Sequence, residues 1–150
     1  MSQAMHSSLS DLFLSRITGS KQAELKITQS TAQMISLLSQ GVEGAVLREM
    51  SHHIPKLVLS STVGTDASNL SKLYRRKRLT QKQTEELNDL TSLWDELRTF
   101  FDGDTDLMDE WMSTPLPILE GQKVEDLMSS AYGRKRIREV IGEMTYGEMA

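Results

Sequence analysis

From Thr80 to Phe101 the chain places Leu87, Leu90, Leu93, Trp94, Leu97, Phe100 and Phe101 at steps of three and four. Residues so spaced share one face only on an α-helix. Thr80 and Gln83 stand where a capping box needs them, a Thr at the N-cap and a Gln at the third helical position. A long helix with one apolar face has to be covered by other elements, and the rest of the chain offers more helices. Its β-branched residues nowhere alternate with polar ones over a strand length. The expected fold class is therefore all-α.

The same spacing predicts the other helices. Leu9, Leu12, Phe13 and Ile17 mark a short amphipathic one over residues 7–17, which Gly19-Ser20 interrupts; the polar stretch Lys21 to Ser30 reads as a linker or arm. Thr31 to Gln40 is helical with Gly41 at the C′ position, and Val42 to Met50 continues with Val46, Leu47 and Met50. Pro55 opens a helix through Leu57, Val58 and Leu59. Gly64 ends it, and Asp66 caps the next, which is predicted to run to about Arg78. Beyond Asp102-Gly103-Asp104, Thr105 to Met112 carries Leu107, Met108 and Trp111. Pro115 and Pro117 mark an extended connection. Val124 to Ser129 is a short helix, and Gly133 separates it from a last one, Arg134 to Met144, with Ile137, Val140, Ile141 and Met144 inward.

Composition narrows the function classes. The chain has 150 residues and no cysteine, which excludes a disulfide scaffold and any thiolate metal site and fits a reducing cytoplasm. No apolar run approaches the roughly 18 residues that span a membrane, and Met1 to Ser10 lacks a signal-peptide layout. The net charge of −4 argues against nucleic acid only if it is evenly spread, and it is not. Residues 51–80 hold Lys56, Lys72, Arg75, Arg76, Lys77 and Arg78 against Asp66 alone; residues 81–112 hold ten acids against Lys82 and Arg98. A basic block followed at once by an acidic one is the first functional clue.

Two helices joined by a short turn with a glycine form the helix-turn-helix pattern. Here they would be Pro55 to Thr62 and Asp66 to Leu79, with Val63-Gly64-Thr65 between and Leu59, Val63, Leu70 and Leu73 packed inside. In that motif the second helix enters the major groove and its first residues reach base edges. Ser68, Asn69, Ser71 and Lys72 hold those positions and supply base-reading donors and acceptors. Arg75, Arg76, Lys77 and Arg78 follow and suit phosphate contact. The plain alternative is a solvated helix face whose cations favour the helix dipole.

Other patterns resemble chemistry and fail on inspection. Asp102, Asp104 and Asp106 alternate like an EF-hand start, but its sixth and twelfth positions fall on Leu107 and Ser113 rather than Gly and Glu. Helix capping is the better reading. His52 and His53 are adjacent and point apart on a helix, so no metal site is expected. With no glycine-rich phosphate loop and no nucleophile elbow, an enzyme would need acids from scattered helices. Neither catalysis nor a cofactor is expected. Trp94, Phe100, Phe101 and Trp111 read as core.

The last forty residues have a distinctive order: Trp111-Met112-Ser113-Thr114-Pro115, Leu119-Glu120-Gly121, Asp126-Leu127-Met128, Gly133, Ile137, Val140, Ile141, then Tyr146-Gly147. This resembles the toxin-binding domain of the Xre/MbcA/ParS antitoxins. Gln40-Gly41-Val42 and the Leu79-Thr80 entry to the long helix are similar to the family's upstream half, so the likeness covers about residues 33–150. Two positions depart from it. Val124 stands where the family commonly has Pro, and Glu86 lies near where its connector helix commonly has Arg.

The resemblance implies an antitoxin of a type II toxin–antitoxin pair. Its partner would be a RES-domain toxin that consumes NAD, or a related ADP-ribosyl-transferring toxin. The C-terminal segment would block the toxin's active site, with Gly133, Arg134, Tyr146, Gly147, Glu148, Met149 and Ala150 nearest the pocket, while the DNA-binding half represses the operon. Arg134, Lys135, Arg136 and Arg138 are expected on the outer face of the last helix; an ordinary capping helix of the core is the alternative. The organisation expected is an arm over 1–30, an Xre-like helix-turn-helix domain with connector helix over 31–101, and a toxin-binding domain over 102–150. Two-fold operators predict a homodimer or a toxin-bridged assembly. From another class, the chain would be a stand-alone transcription regulator whose C-terminal domain only dimerises.

Overall fold

The long apolar stripe becomes the axis of the molecule. In the computed structural model, residues 8–18 and 30–147 are described, and every α-helix among them packs directly or indirectly on the stripe helix, α6 (Gln81–Phe100). Before it come α1 (Leu9–Thr18), α2 (Thr31–Ser39), α3 (Val46–Met50), α4 (Lys56–Val63) and α5 (Leu70–Leu73). After it come α7 (Thr105–Ser113), a 3-10 turn at Pro117–Leu119, α8 (Val124–Leu127) and α9 (Ala131–Gly147). No strand occurs among the described residues, so the all-α expectation holds.

α6 starts as its sequence requires. The Gln83 amide donates to Thr80 Oγ1 at 3.1 Å and the Thr80 amide to Gln83 Oε1 at 3.0 Å, closing the capping box. Gln83 Nε2 also donates to the Val63 carbonyl at 3.1 Å, tying the start of α6 to the end of α4. Leu87, Leu90, Leu93, Trp94 and Leu97 are all buried. At roughly 1.5–3 kcal/mol per large apolar side chain, this one stripe supplies a major share of the driving force.

Part of the N-terminal segment joins that core. Leu9, Phe13 and Ile17 of α1 are buried, and the amides of Leu9 and Ser10 both donate to the Asp95 carboxylate on α6 at 3.0 Å. A distant acid thus satisfies first-turn donors that lack an intrahelical partner. The polar stretch predicted as a linker falls mainly on residues 19–29, outside the described ones. Ser30 and Gln33 form a second capping box, on α2, and Gly41 follows that helix with φ +83°, as the C′ position favours.

Several boundaries differ from expectation. α3 begins only at Val46, because residues 41–45 form a turn. Pro55 is the N-cap of α4 rather than its first residue, and α4 ends at Gly64 with φ +81°. The largest difference is α5. The helix predicted from Asp66 to Leu79 is a single turn, Leu70–Leu73. The chain beyond it is pulled back across α3's approach: Gly44 donates to Arg76 O at 2.9 Å and Leu79 to Val42 O at 2.8 Å. A Cβ on Gly44 would lie 1.9 Å from the Leu73 carbonyl oxygen, so only glycine permits this crossing. Leu79 is buried at its end, and these tertiary bonds outcompete helix propagation.

In the C-terminal part, Asp104 caps α7 through the Leu107 amide at 3.1 Å, the capping role expected of it. Met108 and Met112 point inward, while Leu107 is 49% exposed. α9 opens at Ala131, three residues earlier than predicted, and Gly133 lies inside its first turn rather than before it.

Candidate functional site

The arginines of α9 do not lie where residue type alone would put them. Arg134, expected on the outer face, is 1% exposed. Its Nε donates to Asp89 and one Nη to Glu86, both on α6, and the other Nη to the Met128 carbonyl at 3.1 Å. The reason is periodic. Arg134 precedes Ile137 and Ile141 by three and seven, so it shares their inward face. The acids that receive it, Glu86 and Asp89, are three apart on one side of α6. That spacing was legible and is the signal that sequence reasoning missed.

Arg138 extends the pairing. Its Nε donates to Glu96 at 2.8 Å, and an Nη lies 3.0 Å from Asp89. Burial alone would raise the Asp89 carboxyl, but hydrogen bonds from Arg134 and Arg138 outweigh it and hold the group below the usual carboxylate range. Burial likewise opposes the charge on Arg138, and Glu96 and Asp89 overcome it and push its pKa up. Arg136 faces away from α6, its guanidinium 3.3 Å from Glu143 and donating to the Ile118 carbonyl.

Gly133 lets α9 come this close. A Cβ there would sit 1.9 Å from the Leu127 carbonyl oxygen. On the other side of the same turn is a cleft of about 220 Å³ bounded by Ile118, Leu127, Tyr132, Gly133 and Arg136. Tyr132 is 78% exposed at its rim, and Tyr146 is 73% exposed near the far end of α9. Of the residues assigned to toxin contact, Gly133 lines the cleft, Tyr146 and Gly147 are exposed, and Arg134 is withdrawn into the core. Glu148, Met149 and Ala150 lie outside the described residues.

A second surface gathers the basic block. Its front is occupied by a carboxylate. Asp66 accepts from Ser68 Oγ at 2.7 Å, from the Asn69 amide at 2.9 Å and from Asn69 Nδ2 at 3.1 Å. These bonds, Ser68's foremost, hold the Asp66 carboxyl below its ordinary range. They also engage the donors of two residues assigned to base reading. Ser71 and Lys72 are exposed on α5, and Arg75, Arg76 and Lys77 are exposed beyond it. Arg78 differs from its neighbours: it donates to the carbonyls of Ile17 at 2.7 Å and Gly41 at 3.0 Å, fastening α1 to the residues after α2. The fold adds a cation that the sequence reading did not include. Arg48 of α3 lies over the Tyr74 ring, 5.4 Å from its centroid, and lines one cleft with Ser71, Lys72 and Arg75. Arg48 is 24 residues from Lys72, and nothing local in the sequence links the two.

His53 carries a lowered pKa, from burial first and then from Arg98 and His52. No group of three His, Asp or Glu able to hold a metal occurs among the described residues. No helix among them is long and apolar enough to cross a membrane.

Residues 96–147 match the family described as the antitoxin Xre/MbcA/ParS C-terminal toxin-binding domain. No curated protein matches the chain. The matched span runs from the last turn of α6 through α9. It includes the Gly133 cleft and both inward arginines, but not Glu86 or Asp89, which lie earlier on α6.

Proposed function

We propose that this chain, whose C-terminal third belongs to the Xre/MbcA/ParS toxin-binding domain family, neutralises a RES-type, NAD-consuming toxin by laying the end of α9 over the toxin's active site. The coarser statement rests on the family match: the chain is a toxin-binding antitoxin of a toxin–antitoxin system. The observation that carries the finer one is the asymmetry of α9. Its first turns are clamped to α6 through Arg134 and Arg138, while Tyr146 and Gly147 stay exposed at its far end. Gly133, Tyr146, Gly147 and the residues 148–150 after them would meet the toxin. Arg134 would act through the helix it positions.

The second part of the proposal is that the basic segment binds DNA and represses the operon. α4, the Gly64 turn and α5 serve as a helix-turn-helix with a shortened second helix, and the exposed Lys72, Arg75, Arg76 and Lys77 meet phosphates. The protein works in the cytoplasm, as a homodimer or a toxin-bridged assembly, with no catalysis and no cofactor of its own. The family match points to the same non-enzymatic regulator.

Co-expression with the adjacent open reading frame tests the first part. The neighbour alone should arrest growth, the full chain should rescue it, and truncation after Glu143 should abolish rescue while DNA binding survives. A harmless neighbour, or rescue by the truncated chain, defeats the reading and favours a stand-alone regulator with a C-terminal dimerisation domain.

A further inference from the structure

The four positions expected to read bases divide in the fold: Ser68 and Asn69 turn to Asp66, while Ser71 and Lys72 share a cleft with Arg75. Ser68 and Asn69 are hydrogen-bonded to Asp66, whose negative charge faces solvent at the front of the segment. Arg78 gives one Nη to backbone carbonyls. The cleft lined by Arg76, Lys77 and Arg78 also contains Glu43. A separate cleft gathers cations with no carboxylate in its lining: Arg48 from α3, Ser71 and Lys72 from α5, and Arg75 just beyond it, around Tyr74.

We infer that Arg48, Ser71, Lys72 and Arg75 form a seat for one phosphate of a nucleic-acid backbone; this rests on the DNA-binding reading above and names a contact outside the basic run. A phosphodiester has one negative charge and two free oxygens, which a guanidinium fork matches in pairs and a lysine meets as a point charge. The cation–π contact with Tyr74 places the exposed Arg48 guanidinium over the ring, within the roughly 6 Å at which the two attract. The hydrogen bond from Gly44 to Arg76 O keeps the approach to α3 and the chain after α5 side by side, so the two sources of charge are already assembled. Arg48 already lies over the Tyr74 ring, the one aromatic group in the lining, and competes with a base for it. That favours a backbone phosphate over a free nucleotide.

The test uses the full chain and two duplexes of roughly 20 base pairs with unrelated sequences. Binding is followed by fluorescence anisotropy between about 50 and 200 mM salt. Arg48→Ala and Arg48→Gln should weaken both duplexes by the same factor and lower the salt slope by about one counterion each. Arg48→Lys should restore the slope. Unchanged slopes in both neutral variants, with wild-type melting temperatures, overturn the seat while leaving the DNA-binding reading intact. A wild-type chain that binds neither duplex overturns both. Adenosine diphosphate at constant ionic strength provides the other source of phosphate. If it displaces a duplex from the wild type but not from Arg48→Gln, the seat belongs to a small nucleotide and the backbone assignment fails.

Discussion

The chain has two dense groups of cations, and the fold treats them in opposite ways. Arg75, Arg76 and Lys77 follow a single helical turn and stay in solvent, whereas Arg134 and Arg138 sit against the acidic face of α6. Local charge density does not separate them. What separates them is periodicity and the acids opposite. The α9 arginines are in step with Ile137 and Ile141, and Glu86, Asp89 and Glu96 line the side of α6 that they meet. The segment after α5 has no such register, because it leaves the helix at Tyr74 and is held by backbone bonds. Glu86, Asp89 and Glu96 of the acidic block therefore serve the other end of the molecule rather than the basic segment before them.

That contrast is broken most directly by deleting one arginine from each group. Arg134→Ala leaves Glu86 without this partner, Asp89 with Arg138 alone, and the Met128 carbonyl without its Arg134 donor. Removing one partner of a buried ion pair costs about 3–5 kcal/mol, and with both acids partly exposed the lower end applies. The expected fall in melting temperature is roughly 10 °C at this chain length. Arg75→Ala, on an exposed side chain with no structural partner to lose, should stay within about 0.5 kcal/mol of wild type. Equal losses in thermal denaturation would show that the two groups are not distinct.

The glycines of α9 sharpen the same picture on a smaller scale. Gly→Ala inside a helix normally stabilises by up to about 1 kcal/mol. A Cβ on Gly142 would meet nothing within 4 Å, so Gly142→Ala should follow that rule. At Gly133 the Cβ would meet the Leu127 carbonyl, which belongs to the backbone and cannot swing aside. Gly133→Ala should therefore reverse the sign and cost about 1–3 kcal/mol. Urea denaturation of the two variants reads both values; the same sign for both would mean that α9 does not rely on the close approach.

Legibility followed the range of the interactions. The α6 stripe, the Thr80–Gln83 capping box, Gly64 and the Asp104 cap depend on neighbours within four residues, and the sequence shows them directly; the Ser30–Gln33 box is as local but begins inside a stretch that reads as a linker. The length of α5 is not local. Its residues would continue as a helix, and only the bonds from Gly44 and to Val42 stop them. The site divides in the same way. Gly133 and Tyr146 are expected from the resemblance and the exposed cations from residue type, whereas Arg48, which lies beside Lys72 and Arg75, comes from a separate element. Arg134 is the instructive failure. Residue type alone assigns a charged side chain to the surface, although its spacing from Ile137 places it inside and its counter-charges stand on another helix at readable intervals.

The smallest expected effect concerns acid. The folded carboxyl of Asp89 titrates below its unfolded value because Arg134 and Arg138 donate to it. Its contribution is thus complete above the unfolded carboxylate pKa of about 3.9 and is lost as pH falls through the folded value. Stability measured by urea denaturation should stay level on this account from neutral pH to near that point and then decline. In Asp89→Asn the corresponding part of the acid limb should disappear, leaving a shallower slope below about pH 4. Arg75→Ala should keep the wild-type limb, since Arg75 does not donate to that carboxylate. An acid limb unchanged by Asp89→Asn would mean that the clamp depends on the shape of the arginine pocket rather than on the charge of Asp89, and the difference between the two cation groups would then be one of packing alone.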